Sequence, residues 1–155
     1  LMFEYQLLEK ARTSRKRIVL PEGNDDRVLK AAATVLTRGI ADLTILGEEA
    51  EVRGRALELG IDLSAAQVLS PFDPVIVDRF AREYEQLRRH KGVTYAQAAD
   101  TVTDVSYFGT MMVHKGLADG MVSGSVTTTA QTIATTAAST TSTTASLSAT
   151  AATAS

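Results

Sequence analysis

The chain has 155 residues and a mass of 16.5 kDa, enough for one domain that buries roughly two thirds of the surface its unfolded form exposes. Its net charge is -2 and its pI about 5.7, with basic residues interleaved among acids, which argues against a nucleic-acid or anionic-membrane surface and for a small-molecule or protein partner. The absence of Cys excludes a disulfide framework, a thiolate metal site and a cysteine nucleophile, and no signal core or run of eighteen apolar residues occurs, so a soluble cytoplasmic protein is expected.

In chain order, the first expected helix runs from Phe3 to Ser14, with Leu7, Leu8 and Ala11 on one face. A short apolar strand, Ile18 to Leu20, is stopped by Pro21 and a loop holding Gly23 and Asn24. Asp25 or Asp26 is placed to cap the next helix, in which Val28, Ala32, Val35 and Leu36 recur at helical spacing before Gly39. A strand over Leu43 to Leu46, a weaker helix over Glu48 to Leu59 and a weaker strand over Gln67 to Leu69 follow. Pro74 opens a helix to His90 whose stripe of Val77, Phe80, Tyr84 and Leu87 must pack inward. Thr94 caps a short helix with Tyr95, Ala98, Ala99 and Val102 apolar, and Ser106 to Lys115 forms another, stopped by Gly116, with Phe108, Met111 and Met112 towards the core. A brief strand, Met121 to Val122, comes next, and no internal repeat or linker interrupts the sequence. Short buried strands alternating with helices predict an α/β fold: a mostly parallel sheet in a three-layer α/β/α arrangement.

Two stretches are candidates for binding. "EQLRRHKG" sets Arg88, Arg89, His90 and Lys91 at a helix C-terminus, where cations complement the helix dipole. Two adjacent guanidiniums are also able to grip the phosphates of a nucleotide-like ligand. "DGMVSGSVTTTAQT" ends a strand in Ser123, Gly124 and Ser125 and continues into hydroxyl residues, the way α/β proteins present backbone N–H groups to an anion, or simply an ordinary strand-to-helix turn. The stretch is not a P-loop. His90 and His114 have no carboxylate or second His at ligand spacing and read as helix-end or surface residues, so metal catalysis has no support. The Asp pair of "GNDD" reads as a cap, and no Gly-x-Ser-x-Gly elbow suggests a hydrolase.

Taken in order, "RIVLPEGNDDRVLKAA", "RGIADLTILGE", "LRRHKGVTYAQAAD", "YFGTMMVHKGLADGMVSG" and part of "TTAQTI" resemble the first half of the phosphate acetyltransferase domain, shared with phosphate butyryltransferases and the fused domain of some malic enzymes. The resemblance implies an α/β/α fold of two subdomains with the active site between them, usually in a homodimer. It implies transfer of acetyl between coenzyme A and inorganic phosphate, with coenzyme A a substrate and no separate cofactor or metal. Arg88 falls at the family's Arg implicated in coenzyme A binding, and Ser123, Gly124, Thr128 and Thr129 fall on the loop that lines the cleft. The family's catalytic base and its associated Ser and Arg belong to the second half of the domain, so no catalytic residue carries over and the 155 residues are not expected to turn over alone. The competing expectations are a non-catalytic coenzyme A- or anion-binding or assembly module, and a phosphate butyryltransferase.

Residues 1-125 are therefore read as the first part of the domain, and Val126 to Ser155 as a tract of another kind. It holds twelve Thr, nine Ala and five Ser, with no charge, Gly or Pro. Disordered segments carry charge and Pro, and linkers carry Gly, so neither explains it. A frameshift would, but the drift begins inside the motif and keeps its Thr residues, with Ala134 where the family has an Arg. The tract reads best as a misassigned or placeholder continuation of the same domain, and a chain opening at Leu1 is expected to have residues before it.

Overall fold

The computed structural model describes residues 1–124 and a short strand at Thr144–Ser146. Its elements are α1 (Met2–Thr13), β1 (Lys16–Leu20), α2 (Asp26–Arg38), β2 (Ala41–Leu46), α3 (Glu49–Leu59), β3 (Gln67–Leu69), α4 (Pro74–Arg88), α5 (Tyr95–Val102), α6 (Val105–His114), β4 (Gly120–Ser123) and β5 (Thr144–Ser146). The strands lie in the order β3-β2-β1-β4-β5, and every pair is parallel. Parallel neighbours require crossovers, and the helices between the first four strands provide them.

Because both faces of the sheet are covered, alternate residues of each strand go to different cores. Ile18 and Leu20 of β1, Leu43 and Ile45 of β2 and Val122 of β4 meet Leu29 and Ala32 of α2 and Val52 and Ala56 of α3. Val19, Leu46 and Met121 point the other way, into Phe80, Ala81 and Tyr84 of α4, Ala98 and Val102 of α5, and Phe108, Met111 and Met112 of α6. This is the three-layer α/β/α arrangement that the sequence predicts. Phe80 and Phe108, both fully buried, meet edge to face with ring centroids 4.9 Å apart at 64°.

Helix ends follow local chemistry. Asp25 accepts the Arg27 N–H to start α2, and Gly39, at φ 65, donates to Leu36 and Val35 carbonyls to close it. Asp73 accepts from Val75 and Ile76 ahead of α4, whose first position is Pro74. Thr94 and Gln97 form a reciprocal capping box at α5. Asp104 caps α6, which begins one residue before the expected start.

Three details differ from the expected elements. No residue of α1 is buried, and Leu7 is 52% exposed, because an apolar period becomes a buried face only where another element lies against it. A hydrogen bond from Arg12 Nε to the Arg38 carbonyl, 2.7 Å, ties α1 to the end of α2. α4 ends at Arg88, and Arg89–Lys91 form a 3-10 turn closed by Gly92 at φ 74, so the chain leaves the helix before His90. In α2 the buried side chains are Leu29, which was not expected, and Ala32, which was, with Val28 half-buried. No helix among the described residues is long and apolar enough to cross a membrane.

Candidate functional site

The turns that lead from β1, β2 and β3 into helices leave from the same edge of the parallel sheet, and the ligand crevice of such sheets lies where the strand order reverses. Here that point falls between β1 and β4, with β2 and β3 continuing on the other side. The turn after β1 carries Glu22, which is only 4% exposed. Its Oε1 accepts from the Ser123 hydroxyl at 3.2 Å and from the Gly124 N–H at 3.1 Å. Its backbone carbonyl accepts from Asp25 N–H at 3.1 Å, which begins the turn into α2. One buried side chain thus joins the ends of two neighbouring strands across the switch point.

A cavity of about 540 Å³ lies on the same edge over β1, β2 and β3. Leu46, Val52, Pro71, Phe72 and Val105 give it apolar walls, and Glu22, Glu48 and Glu51 give it carboxylates. Arg55 is the cation in its wall, but Arg55 Nε and Nη2 donate to Asp26 at 2.8 and 2.6 Å, and Nη1 donates to Glu58 at 2.6 Å. The Arg55 hydrogen bond in turn holds the Asp26 carboxyl below the usual carboxylate range. The cavity therefore favours a neutral or apolar portion of a ligand over a phosphate.

Arg88 stands elsewhere. α4 begins beside the cavity wall at Pro74, so Arg88, its last residue, lies about 21 Å further along the helix axis. The side chain is half-buried, and its Nε is buried without a hydrogen-bond partner. Burial first, and Tyr107 next, push the Tyr84 hydroxyl up, while Arg88 beside it pulls the other way. Arg89, His90 and Lys91 are exposed, so the two adjacent arginines do not share one environment.

Of the residues expected in the site, the structure brings Ser123 and Gly124 together through Glu22, places Arg88 at the far end of α4, and leaves Thr128 and Thr129 outside the described residues. His114 does have a carboxylate neighbour, contrary to the spacing argument: its Nε2 lies 3.3 Å from Glu83 Oε1, and Lys115 Nζ lies 3.3 Å from Glu83 Oε2. Glu83 comes from α4, 31 residues earlier, which is why local spacing did not reveal it. No group of metal-ligating side chains occurs among the described residues. Sequence reasoning missed Glu22; the available signal was an acid directly after Pro21 at a strand end, ahead of the Asp pair that already caps the helix.

A doubly wound parallel sheet joined across its switch point defines the class, an α/β protein with its ligand edge at the carboxyl ends of the strands. Residues 2–152 match the profile of the phosphate acetyl/butaryl transferase family, and the chain belongs to that family. Over 122 residues it is 48% identical to the phosphate acetyltransferase of Corynebacterium glutamicum, a match covering 79% of this chain and 37% of that protein. The phosphate acetyltransferase of Nitratidesulfovibrio vulgaris is 47% identical over 122 residues, covering 79% of this chain and 17% of its own length. A phosphotransacetylase structure from Streptococcus pyogenes superposes with a TM-score of 0.77 at 36% identity, over 84% of this chain and 41% of that one. One from Staphylococcus aureus gives 0.76 at 32% identity, over 86% and 42%. The chain thus spans less than half the length of these relatives.

Proposed function

We propose that this chain supplies the coenzyme A-binding part of an acyltransferase that converts acetyl-CoA and phosphate into coenzyme A and acetyl phosphate, and the reverse. Family membership and the names of the relatives support the reaction. The observation that carries the assignment to this chain is Arg88: a half-buried guanidinium whose Nε–H lacks a protein acceptor, at the position where the resemblance has a coenzyme A-binding Arg. Buried donors without partners are rare, and a phosphate oxygen supplies the missing acceptor. Coenzyme A is extended, with its nucleotide at one end and its thiol at the other. Arg88 and the strand-end turn therefore serve different parts of one molecule.

In the direction that consumes acetyl phosphate, a base takes the thiol proton, sulfur attacks the acetyl carbonyl, and the tetrahedral oxyanion collapses to the thioester with departure of phosphate. No residue of this chain is assigned as that base. Ser123, Gly124, Thr128 and Thr129 are assigned to substrate contact at the cleft, Ser123 through its oxygen lone pairs because its hydroxyl faces Glu22. A cytoplasmic homo-oligomer is part of the proposal. So is the reading of Val126 to Ser155 as more of the same domain, supported by a family match that runs to residue 152.

The test uses the gene product at its natural length, with thioester formation from acetyl phosphate and coenzyme A as the readout. Arg88→Ala is expected to raise the KM for coenzyme A by about ten- to a hundredfold, the loss of one charge-assisted contact. An unchanged KM removes Arg88 from the site. The second reading, a binding module without chemistry, is favoured by Ala134, which stands where the family has an Arg. Tight coenzyme A binding without phosphate-dependent acetyl transfer decides for it.

A further inference from the structure

Among the described residues, Glu22 is the charged side chain that the fold buries; the other buried polar side chains are Ser106, Thr110 and Ser123. The Thr110 hydroxyl stays within its own helix, Oγ1 donating to the Ser106 backbone carbonyl at 2.8 Å. Glu22 instead reaches residues 101 and 102 positions further along the chain. Burying an ionisable group is costly, and the turn after β1 does not require an acid there. Asp25 caps α2, and Gly23 provides the close passage of the loop over the Leu46 carbonyl. The carboxylate must be explained by what it holds. It holds the end of β4.

The Ser123 and Gly124 donors to Glu22 sit where the strand end would otherwise present groups to an anion. The Ser123 hydroxyl and the Gly124 N–H point inward, and Gly124 is fixed at φ 120, a conformation that favours glycine. The segment that continues through Thr128 and Thr129 therefore departs from one pinned residue. A ligand that binds to a pre-set turn avoids the cost of ordering it. We propose that Glu22 is a positioning residue: by accepting from Ser123 and Gly124 it fixes the exit of β4 for contact with coenzyme A and phosphate. The identity of the ligand rests on the function proposed above, whereas the lock does not.

The experiment compares Glu22→Gln, Glu22→Asp and Glu22→Ala in the natural-length protein by amide exchange at Gly124, coenzyme A affinity by calorimetry, and thermal midpoint. Gln keeps an acceptor oxygen at the same reach. It should retain slow exchange at Gly124 and an affinity within about threefold of wild type. Ala and Asp remove or shorten the acceptor, and should accelerate Gly124 exchange and weaken coenzyme A by about tenfold, the loss of a hydrogen bond to a charged group. Rescue by Gln in both readouts is what a positioning role predicts and a general loss of stability does not. Unchanged Gly124 exchange in the Ala and Asp variants overturns the inference, as does unchanged affinity where wild type binds. Should Glu22→Ala fail to fold, the Gln and Asp pair makes the same distinction. Should wild type bind no coenzyme A, the proposed function falls and Gly124 exchange alone decides whether the lock exists.

Discussion

Gly23 stands where the outgoing loop of β1 passes over β2, and a Cβ there would lie 2.3 Å from the Leu46 carbonyl oxygen and 2.8 Å from Ile45 Cγ2. Neither atom has room to retreat, since Leu46 is paired to Leu69 in the sheet and Ile45 is fully buried. Gly23→Ala should cost about 2–3 kcal/mol, read as a lower urea midpoint with an unchanged slope. Gly54, inside α3 with open space around it, is the control: Gly54→Ala should stabilise the fold by about 0.5–1 kcal/mol through helix propensity, read as a higher urea midpoint. The two glycines look alike in the sequence because what separates them is the passage of another strand. Glu22 was hidden for the same reason, its partners lying a hundred or so positions away. Arg88 was legible as a cation at a helix end, but its half-burial beside Tyr84 was not.

Elements were legible where their ends are set by neighbours in the chain. Asp25, Pro74, Thr94 and Gly39 each act within four residues of their own position, and each bounds its helix as the sequence predicts. Where an end depends on packing, the reading drifted: α4 yields to a 3-10 turn at Arg89, and the apolar period of α1 finds no burial. Asp73 gives a direct measure of the local contribution, because its Oδ1 accepts from both Val75 and Ile76, at 3.0 and 3.2 Å. Asp73→Ala should cost about 1 kcal/mol, and Asp73→Asn much less, since Asn caps nearly as well. Equal losses in the two variants would show that the side chain acts otherwise than as a cap. The same helix carries Phe80 into the core beneath α6, so a frayed start should also raise amide exchange along α4.

At the scale of the whole molecule, a parallel α/β sheet followed from alternating short strands and helices, but the place of β4 beside β1 did not, because pairing between elements so far apart leaves no local pattern. The structure fastens that pairing at both ends. Glu22 holds the exit of β4, and Arg17 with Asp119 holds its entrance: Arg17 N–H donates to Asp119 Oδ2 at 2.8 Å, Asp119 N–H returns to the Arg17 carbonyl at 2.7 Å, and the guanidinium adds bonds to Asp119 and to the Gly116 carbonyl. The Arg17 side chain first, and its backbone N–H second, hold the Asp119 carboxyl below the usual carboxylate range. A carboxyl depressed in the folded state contributes stability that is present above its unfolded pKa and is lost as pH falls through the folded one. Asp119→Asn keeps a neutral acceptor and removes the charge. The variant should be less stable than wild type at neutral pH, and the gap should close in strong acid, where both side chains are neutral. Because the pair is exposed, the neutral-pH gap should also shrink as salt is raised. Comparing the variant with wild type isolates this pair from Asp26, Asp62 and Asp78, whose carboxyls are also depressed and weaken both proteins alike in acid. A gap that persists undiminished into acid would mean that the entrance of β4 is held by backbone pairing and not by charge.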